Sequence, residues 1–425
     1  MTFKTCLASV AAVALLAAQP AAAENIKIGA SLPLTGNFSI AGQKHQQGYE
    51  LCVNLTNEKG GVLDRSIDLI MSDNRSDPAT AINQYERFIN VDDVDAVFGT
   101  FSSRLTFPVA NILAKNNFVH PIPAGGALRI YSQGHKNLFY FQPNAAEYVG
   151  ATLQGVIRDL VDEGDAPKTA AVISADDFFA NAIEAGLLGG TVKNPADGST
   201  VADLAPGYLS DAGIEVVFTE KWPEEGFNDW LNLANSVKQS GAELIVGLTA
   251  SAEEAVQLTR AFKTVRADPK MLYLSQGTQA EYAEGTGEAG NNTLVHTSWH
   301  PAAPFQSTLG GEPFTNQDFV DAFAAAYGTP PDEDSAIPFA LCQAIIQGME
   351  GAGTTDNQAV GEWLSARTND DPVHTILGRF AWDELGLPVD KPFLMTQWKD
   401  GELTFVYPTD AFEGVADMNY PKGGF

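Results

Sequence analysis

The sequence predicts an α/β protein made of two doubly wound parallel-sheet lobes. Three observations carry the prediction. Apolar runs of strand length alternate with helical periodicity between residues 26 and 122, and the alternation returns between 170 and 274. The 425 residues also exceed what one ordinary core serves, whereas two domains account for them.

The first 23 residues stand outside that scheme. Lys4 gives a basic start, residues 7–18 an apolar run too short to span a bilayer, and Ala21-Ala22-Ala23 a small-residue cleavage site. A signal peptide over 1–23 is therefore expected, with a mature chain of about 402 residues starting near Glu24. Cys6 lies too early to be a lipid-attachment cysteine, and no later segment is long and apolar enough to serve as a membrane anchor.

The first lobe opens with a strand over 26–30 and its outgoing loop over 32–36. Gly48, Leu51, Cys52 and Leu55 recur at the spacing of one helix face, and that helix stops at Asn57-Glu58-Lys59-Gly60-Gly61, where glycine takes the left-handed cap. A strand over 67–72 follows. Asp77-Pro78 reads as an N-cap with proline in the first turn of a helix to about Asn90. Ala96-Val97-Phe98-Gly99 is the third strand, and it empties into Thr100-Phe101-Ser102-Ser103, which opens a helix through Lys115. The fourth strand is expected at 118–122.

A helix over 145–161 leads into the second lobe. Strands are expected there at 170–173, 214–218, 244–248 and 271–274, and helices at 183–188, 230–237 and 253–265. Residues 195–210, with the turn Asn194-Pro195-Ala196-Asp197-Gly198, read as an inserted surface excursion. Beyond Trp299 the pattern turns helical at 318–327, 336–349 and 358–365, and it ends in strands at 378–383, 393–398 and 403–407.

Composition narrows the function. The chain has 25 Lys and Arg against 53 Asp and Glu, so nucleic acid and anionic membrane surfaces are excluded as partners. Cys52 and Cys342 are the cysteines left after cleavage, and in an oxidising compartment they form either one disulfide or two buried thiols.

Catalytic patterns are missing. The chain has no G-x-S-x-G elbow, phosphate-binding glycine loop or H-E-x-x-H helix. His296 and His300 are four apart, but Pro301 and the strand-like residues around them speak against a helical metal pair. Neither a metal nor a cofactor is expected.

Hydroxyls, small residues and aromatics instead gather at strand ends, where open α/β sheets bind ligands. The candidate loops are 35–40, 101–103 and 124–126 in the first lobe, and 174–179, 249–251 and 275–277 in the second. At Ser102-Ser103 the loop also opens a helix, whose free N–H groups favour an anionic oxygen. Capping that helix is the competing role for the same hydroxyls. Asp73, Arg75 and Asp77 read as loop-shaping and capping residues.

Four features occur together: Ile26-Lys27-Ile28-Gly29 with Pro33-Leu34-Thr35-Gly36; the helix ending Asn57-Glu58-Lys59-Gly60-Gly61; Phe98-Gly99 with Ser102-Ser103 and Pro108; and Phe380-Ala381-Trp382-Asp383. In this order, across residues 25–407, the chain resembles the periplasmic solute-binding proteins of branched-chain amino-acid-type ABC transporters. The resemblance implies the type I periplasmic binding fold, whose lobes are joined by a three-strand hinge and close over a small ligand. It puts the crossings near Phe141-Gln142, 297–299 and Pro392-Phe393. Lobe 1 is then 24–141 plus 300–391, and lobe 2 is 142–299 plus 392–425. Cys52 and Cys342 share lobe 1 in this scheme, which permits a disulfide.

In relatives that bind amino acids, the position of Ser103 holds the ligand carboxylate through its amide and hydroxyl, next to Ser102 and Phe101. Ala124 and Gly126 belong to the loop that completes the anchor. An aromatic from the other lobe, here Phe179 or Phe178, covers the ligand, and a glutamate at the position of Gln276 accepts its ammonium. Thr249, Phe38 and Trp299 complete the implied lining. Two residues depart from the pattern: Gly126 lacks the hydroxyl and Gln276 lacks the charge. Either Asp176 or Asp177 replaces that charge, or the ligand is not an α-amino acid, because an unpaired buried ammonium costs several kcal/mol. A neutral amide or an aromatic or short aliphatic acid suits a cleft lined by Phe38, Phe101, Phe178 and Trp299.

The implied protein is a periplasmic monomer that captures an amino acid or related small carboxylate or amide by hinge closure and delivers it to an ABC importer permease. A ligand-sensing partner of a membrane receptor shares the fold and is the alternative. An exported amidase would need a base and an acid that nothing near Ser102 or Ser103 supplies.

Overall fold

The computed structural model describes residues 24–194 and 197–425. The expected signal peptide and the first two residues of the 195–210 excursion lie outside the described residues.

Two sheets organise the chain. In the first, Ile26–Leu32 is central and runs parallel to Ile67–Asp73 on one side and Ala96–Phe98 on the other. Its side chains are buried on both faces, as in any sheet with helices on each side. Ile26, Ile28 and Ala30 pack into the core that holds helices Ser39–Glu58 and Glu333–Ala352. Gly29 faces the opposite way, toward the Phe88 ring of helix Pro78–Asn90. Cys52 and Cys342 are joined in a disulfide between Ser39–Glu58 and Glu333–Ala352, with their Cα atoms 6.3 Å apart.

His120–Ile122 and Leu138–Tyr140 form a separate parallel pair. Pro121 and Pro123 offer no N–H to a ladder, which keeps this strand short. Gly99 allows its close approach: a Cβ there would stand 2.2 Å from the Pro121 carbonyl oxygen.

The second sheet has seven strands. From one edge they are Glu402–Tyr407, Leu394–Lys399, Thr293–Thr297, Met271–Leu274, Leu244–Leu248, Thr169–Ala175 and Glu215–Trp222. The last five run parallel; the two C-terminal strands join antiparallel, the chain having returned from helices Asn316–Tyr327, Glu333–Ala352 and Asn357–Ser365.

Several elements depart from the sequence reading. Phe178 and Phe179 open a helix, Phe178–Leu188, and do not lie in a loop. The 195–210 excursion belongs to a hairpin of Thr191–Lys193 with Thr200–Asp203, followed by the short helix Tyr208–Asp211. A second hairpin, Gln306–Leu309 with Glu312–Thr315, turns at Gly310-Gly311, both with positive φ, ahead of the helix expected at 318–327. The strand expected at 378–383 ends at Phe380 and pairs with Val373–Thr375. Among the described residues no helix is long and apolar enough to cross a membrane.

Candidate functional site: a cavity between the lobes

The strand-end loops of the two sheets face each other across a cavity of about 50 Å³. At ~10–15 Å³ per water this is space for roughly three to five waters, so whatever it encloses is small.

On the first wall, Ser102 occupies the N-cap position of helix Ser103–Lys115, yet its hydroxyl makes no capping bond. Ser102 and Ser103 are 7% and 2% exposed, and neither Oγ has a hydrogen-bond partner among the described residues. Leaving such a group unpaired costs about 1–3 kcal/mol. Both line the cavity, beside the free N–H groups of the helix start. Phe38 and Phe101 flank them, ring edge to ring face at 5.7 Å. Ala124 and Gly125 continue the lining.

Gly126 lies behind it. Its carbonyl accepts from the Ala145 N–H, and a Cβ at this position would meet the Phe179 ring at 2.9 Å and Ala145 Cβ at 3.0 Å. A side chain at this position would therefore compete for space with the aromatic from the opposite lobe.

On the second wall, Phe179 lines the cavity and Phe178 turns away. Phe178 packs at 5.1 Å against Phe107, with the Arg129 guanidinium 4.9 Å above its ring. Asp177 caps their helix, its carboxylate accepting from the Phe179 and Ala180 N–H groups at 2.8 and 3.0 Å. It lines the cavity at 2% exposure, and burial holds its pKa above the usual carboxylate range. Asp176 accepts from Asn181 on the exposed side and does not reach the cavity. Gln276 lines the cavity, half-buried. Thr249 is buried next to the lining residue Ala250; its carbonyl accepts from Ser275 Oγ, while its own hydroxyl is unpartnered.

Trp299 sits elsewhere. Its Nε1 donates to Asn316 Oδ1 at 2.7 Å and its ring meets Phe319 edge-on, so it belongs to the first lobe's core. Asp73 and Asp77 shape their loops: Asp73 accepts from Leu34, Thr35 and Arg75 N–H groups, and Asp77 caps helix Pro78–Asn90.

Sequence reasoning passed over the acids that the cavity contains. Glu333 and Asp334 open helix Glu333–Ala352 and line the first wall. Asp332 and Ser335 cap this helix reciprocally, so the run Asp332-Glu333-Asp334 reads in sequence as an ordinary acidic helix start. Gln279 Nε2, from the second lobe, donates to Asp334 Oδ2 at 2.6 Å. The Ser298 N–H donates to Glu333. Burial pushes Glu333 up to about 8 and Asp334 up to about 7. His296 also lines the cavity, with Nδ1 paired to the Tyr273 hydroxyl at 2.7 Å, and burial holds its pKa down to about 3, so it is neutral.

Ion pairs bridge the lobes outside the cavity. Arg104 Nη1 lies 2.9 Å from Glu224 and 3.1 Å from Glu225, while Lys44 Nζ lies 3.8 Å from Glu281. Among the described residues no group of three or more His, Cys, Asp or Glu side chains is placed to hold a metal ion.

The model of the family described as periplasmic binding protein matches residues 25–402. "Leu/Ile/Val-binding protein homolog 7" of Brucella suis biovar 1 (strain 1330) is 24% identical over 423 residues, covering 98% of this chain and 99% of the relative. Among solved structures, the branched-chain amino acid transporter substrate-binding protein LivJ from Streptococcus pneumoniae, in complex with isoleucine, superposes with a TM-score of 0.74 at 17% identity. The match covers 93% of this chain and 100% of that one. A solute-binding protein of an R. palustris ABC transporter, in complex with benzoate, gives 0.69 at 16% identity, covering 94% and 97%.

Proposed function

The chain belongs to the periplasmic binding protein family, and from that premise we propose that it captures a small solute between its lobes and delivers it to an ABC importer permease. The observation that carries the proposal is the pair of buried, unpartnered hydroxyls of Ser102 and Ser103 at a helix start that opens into the cavity. Those hydroxyls and the helix N–H groups suit a ligand oxyanion. The ligands named for the two neighbouring structures, isoleucine and benzoate, both carry a carboxylate.

In this reading the contact residues are Ser102, Ser103, Phe101, Phe38 and Ala124 from lobe 1, with Phe179 and Gln276 from lobe 2. The lobes are 24–141 with 300–391, and 142–299 with 392–425. Supporting this division, the crossing segments touch: Ser298 Oγ donates to Gln142 Oε1 at 3.0 Å, and the His296 and Phe393 rings are 4.5 Å apart. Closure follows from a ligand that touches both walls and therefore favours the closed state. The site of action is the periplasm, the signal peptide being removed near Ala23.

Thermal-shift screening of the mature protein with amino acids, amines, amides, aromatic acids and dicarboxylates tests the proposal. A ligand at a hundred times its Kd adds about 2.7 kcal/mol to stability. At least one class is expected to raise the melting temperature, and Ser103→Ala to remove most of the shift. A chain that none of these compounds stabilises is not the binding protein described.

A further inference from the structure

We infer that the solute carries a basic nitrogen, and that Glu333, Asp334 and Gln279 receive it in place of an acid at Gln276. The inference rests on the binding reading above and names the ligand class of that same cavity.

Three observations converge on it. Glu333 and Asp334 are consecutive residues in one helical turn, and both face the cavity. Gln279, 3% exposed, spends its Nε2 on Asp334 and leaves Oε1 with no partner among the described residues. This corner therefore offers acceptors: two carboxyls and an unfilled amide oxygen. Finally, among the described residues no lysine or arginine lines the cavity. Arg104 is engaged with Glu224 and Glu225, Lys44 lies between Asp332 and Glu281, and His296 is neutral.

Two corners of the cavity thus differ in what they ask for. The Ser102-Ser103 corner takes an oxyanion through hydroxyls and a helix start. In the Glu333-Asp334-Gln279 corner each acid has one donor from the protein, Gln279 Nε2 for Asp334 and the Ser298 N–H for Glu333, and among the described residues no cationic side chain lines the cavity beside them. A nitrogen-free monoanion satisfies one corner and leaves the other with the unfilled Gln279 Oε1 and with no cation beside two buried acids, which is costly for their ionised forms. A solute with a basic nitrogen satisfies it, and a carboxylate on the same molecule fills the serine corner. Gln276 as an uncharged residue then needs no compensation, because the charge has moved to the opposite lobe.

Protonation follows from the same geometry. The groups around the pair are Asp332 on its own helix, Lys44 on Ser39–Glu58, Glu281 on Ala280–Thr286, the Ser298 N–H, and the side chains of Tyr140 and Tyr273. Asp177 and His296 share the cavity. Burial keeps both acids partly protonated near neutral pH. A cationic solute favours their ionised forms, so binding releases protons and tightens as pH rises.

The test uses the mature protein and the compound panel above, extended by partners that lack the nitrogen: leucine with 4-methylpentanoate, phenylalanine with 3-phenylpropanoate, benzylamine with benzyl alcohol. Every compound that stabilises the protein is expected to carry a basic nitrogen. Glu333→Gln and Asp334→Asn are each expected to weaken the strongest hit at least tenfold in titration calorimetry. In the unmodified protein the same affinity is expected to rise at least tenfold from pH 6.0 to 8.5, a readout that stands even where a variant folds poorly. A nitrogen-free acid as the strongest hit, or a flat pH profile, overturns this inference and leaves the binding reading in place. A panel with no hit overturns both.

Discussion

Arg104 Nη1 lies 2.9 Å from Glu224 Oε1, which ties the first turn of helix Ser103–Lys115 to the loop that follows strand Glu215–Trp222 in the other lobe. The residue next to the oxyanion corner is thus also a clasp at the cleft mouth. Glu224 needs that cation: burial and the nearby Asp177 raise its pKa, while Arg104 lowers it.

Arg104→Gln is expected to weaken solute affinity by about fivefold at most at low salt, because partly exposed pairs contribute about 0.2–1 kcal/mol. The loss should shrink as salt screens the pair in the parent protein. Titration calorimetry at two ionic strengths checks both statements.

Ser103→Ala is expected to separate stability from binding. The hydroxyl has no partner among the described residues, so removing it leaves the ligand-free melting temperature unchanged or slightly raised. A hydrogen bond to a charged ligand group contributes about 1.5–3 kcal/mol, so affinity should fall roughly ten- to hundredfold.

Gly126→Ser would supply the hydroxyl that the family resemblance implies at this position, but its Cβ would press on Phe179 and Ala145 at 2.9 and 3.0 Å. Overpacking of this kind costs about 1–3 kcal/mol. Lower stability and weaker binding are expected together, read by urea unfolding and titration.

Glu333→Gln should change how stability depends on pH. Glu333 ionises near pH 4.3 in an unfolded chain but near 8 in the fold, because of burial. Its contribution is therefore present below about pH 4, falls as pH rises, and is lost by pH 8. The variant is expected to gain on the parent steadily from pH 5 to pH 8.5, compared by thermal melts without ligand. The acids Asp332 and Asp334, also raised by burial, remain in both proteins.

Reducing the Cys52–Cys342 disulfide, which spans 290 residues of sequence, removes a long loop closure from the unfolded chain. A loss of about 3–5 kcal/mol in urea unfolding is expected, matched by Cys52→Ser with Cys342→Ser under oxidising conditions.

The strand-helix rhythm made both sheets legible, because parallel strands buried on two faces read as continuous apolar runs between glycine and N-cap signals. The Asp77-Pro78 helix start and the Gly60-Gly61 stop sit where those residues require. Short elements escaped: Leu138–Tyr140 has three residues, too few for any period to show. In the cavity, Ser102 and Ser103 were visible because they follow a strand end directly. Glu333 and Asp334 were not, since an acidic first turn has an ordinary explanation in the helix dipole and only the tertiary fold turns it toward the other lobe. Trp299 and Phe178 failed for the converse reason: their positions in sequence adjoin the cleft, but Asn316 and Arg129 draw the side chains elsewhere.

The most direct test of solute capture in this cavity is a crystal structure of the protein with its strongest thermal-shift hit. The expected result is a ligand enclosed between the two lobes, with an oxygen within about 3.2 Å of Ser102, Ser103 or their N–H groups. Its nitrogen is expected to lie against Glu333, Asp334 and Gln279. A ligand bound outside this cavity, for instance against Phe227 and Trp230 at the cleft mouth, would contradict it.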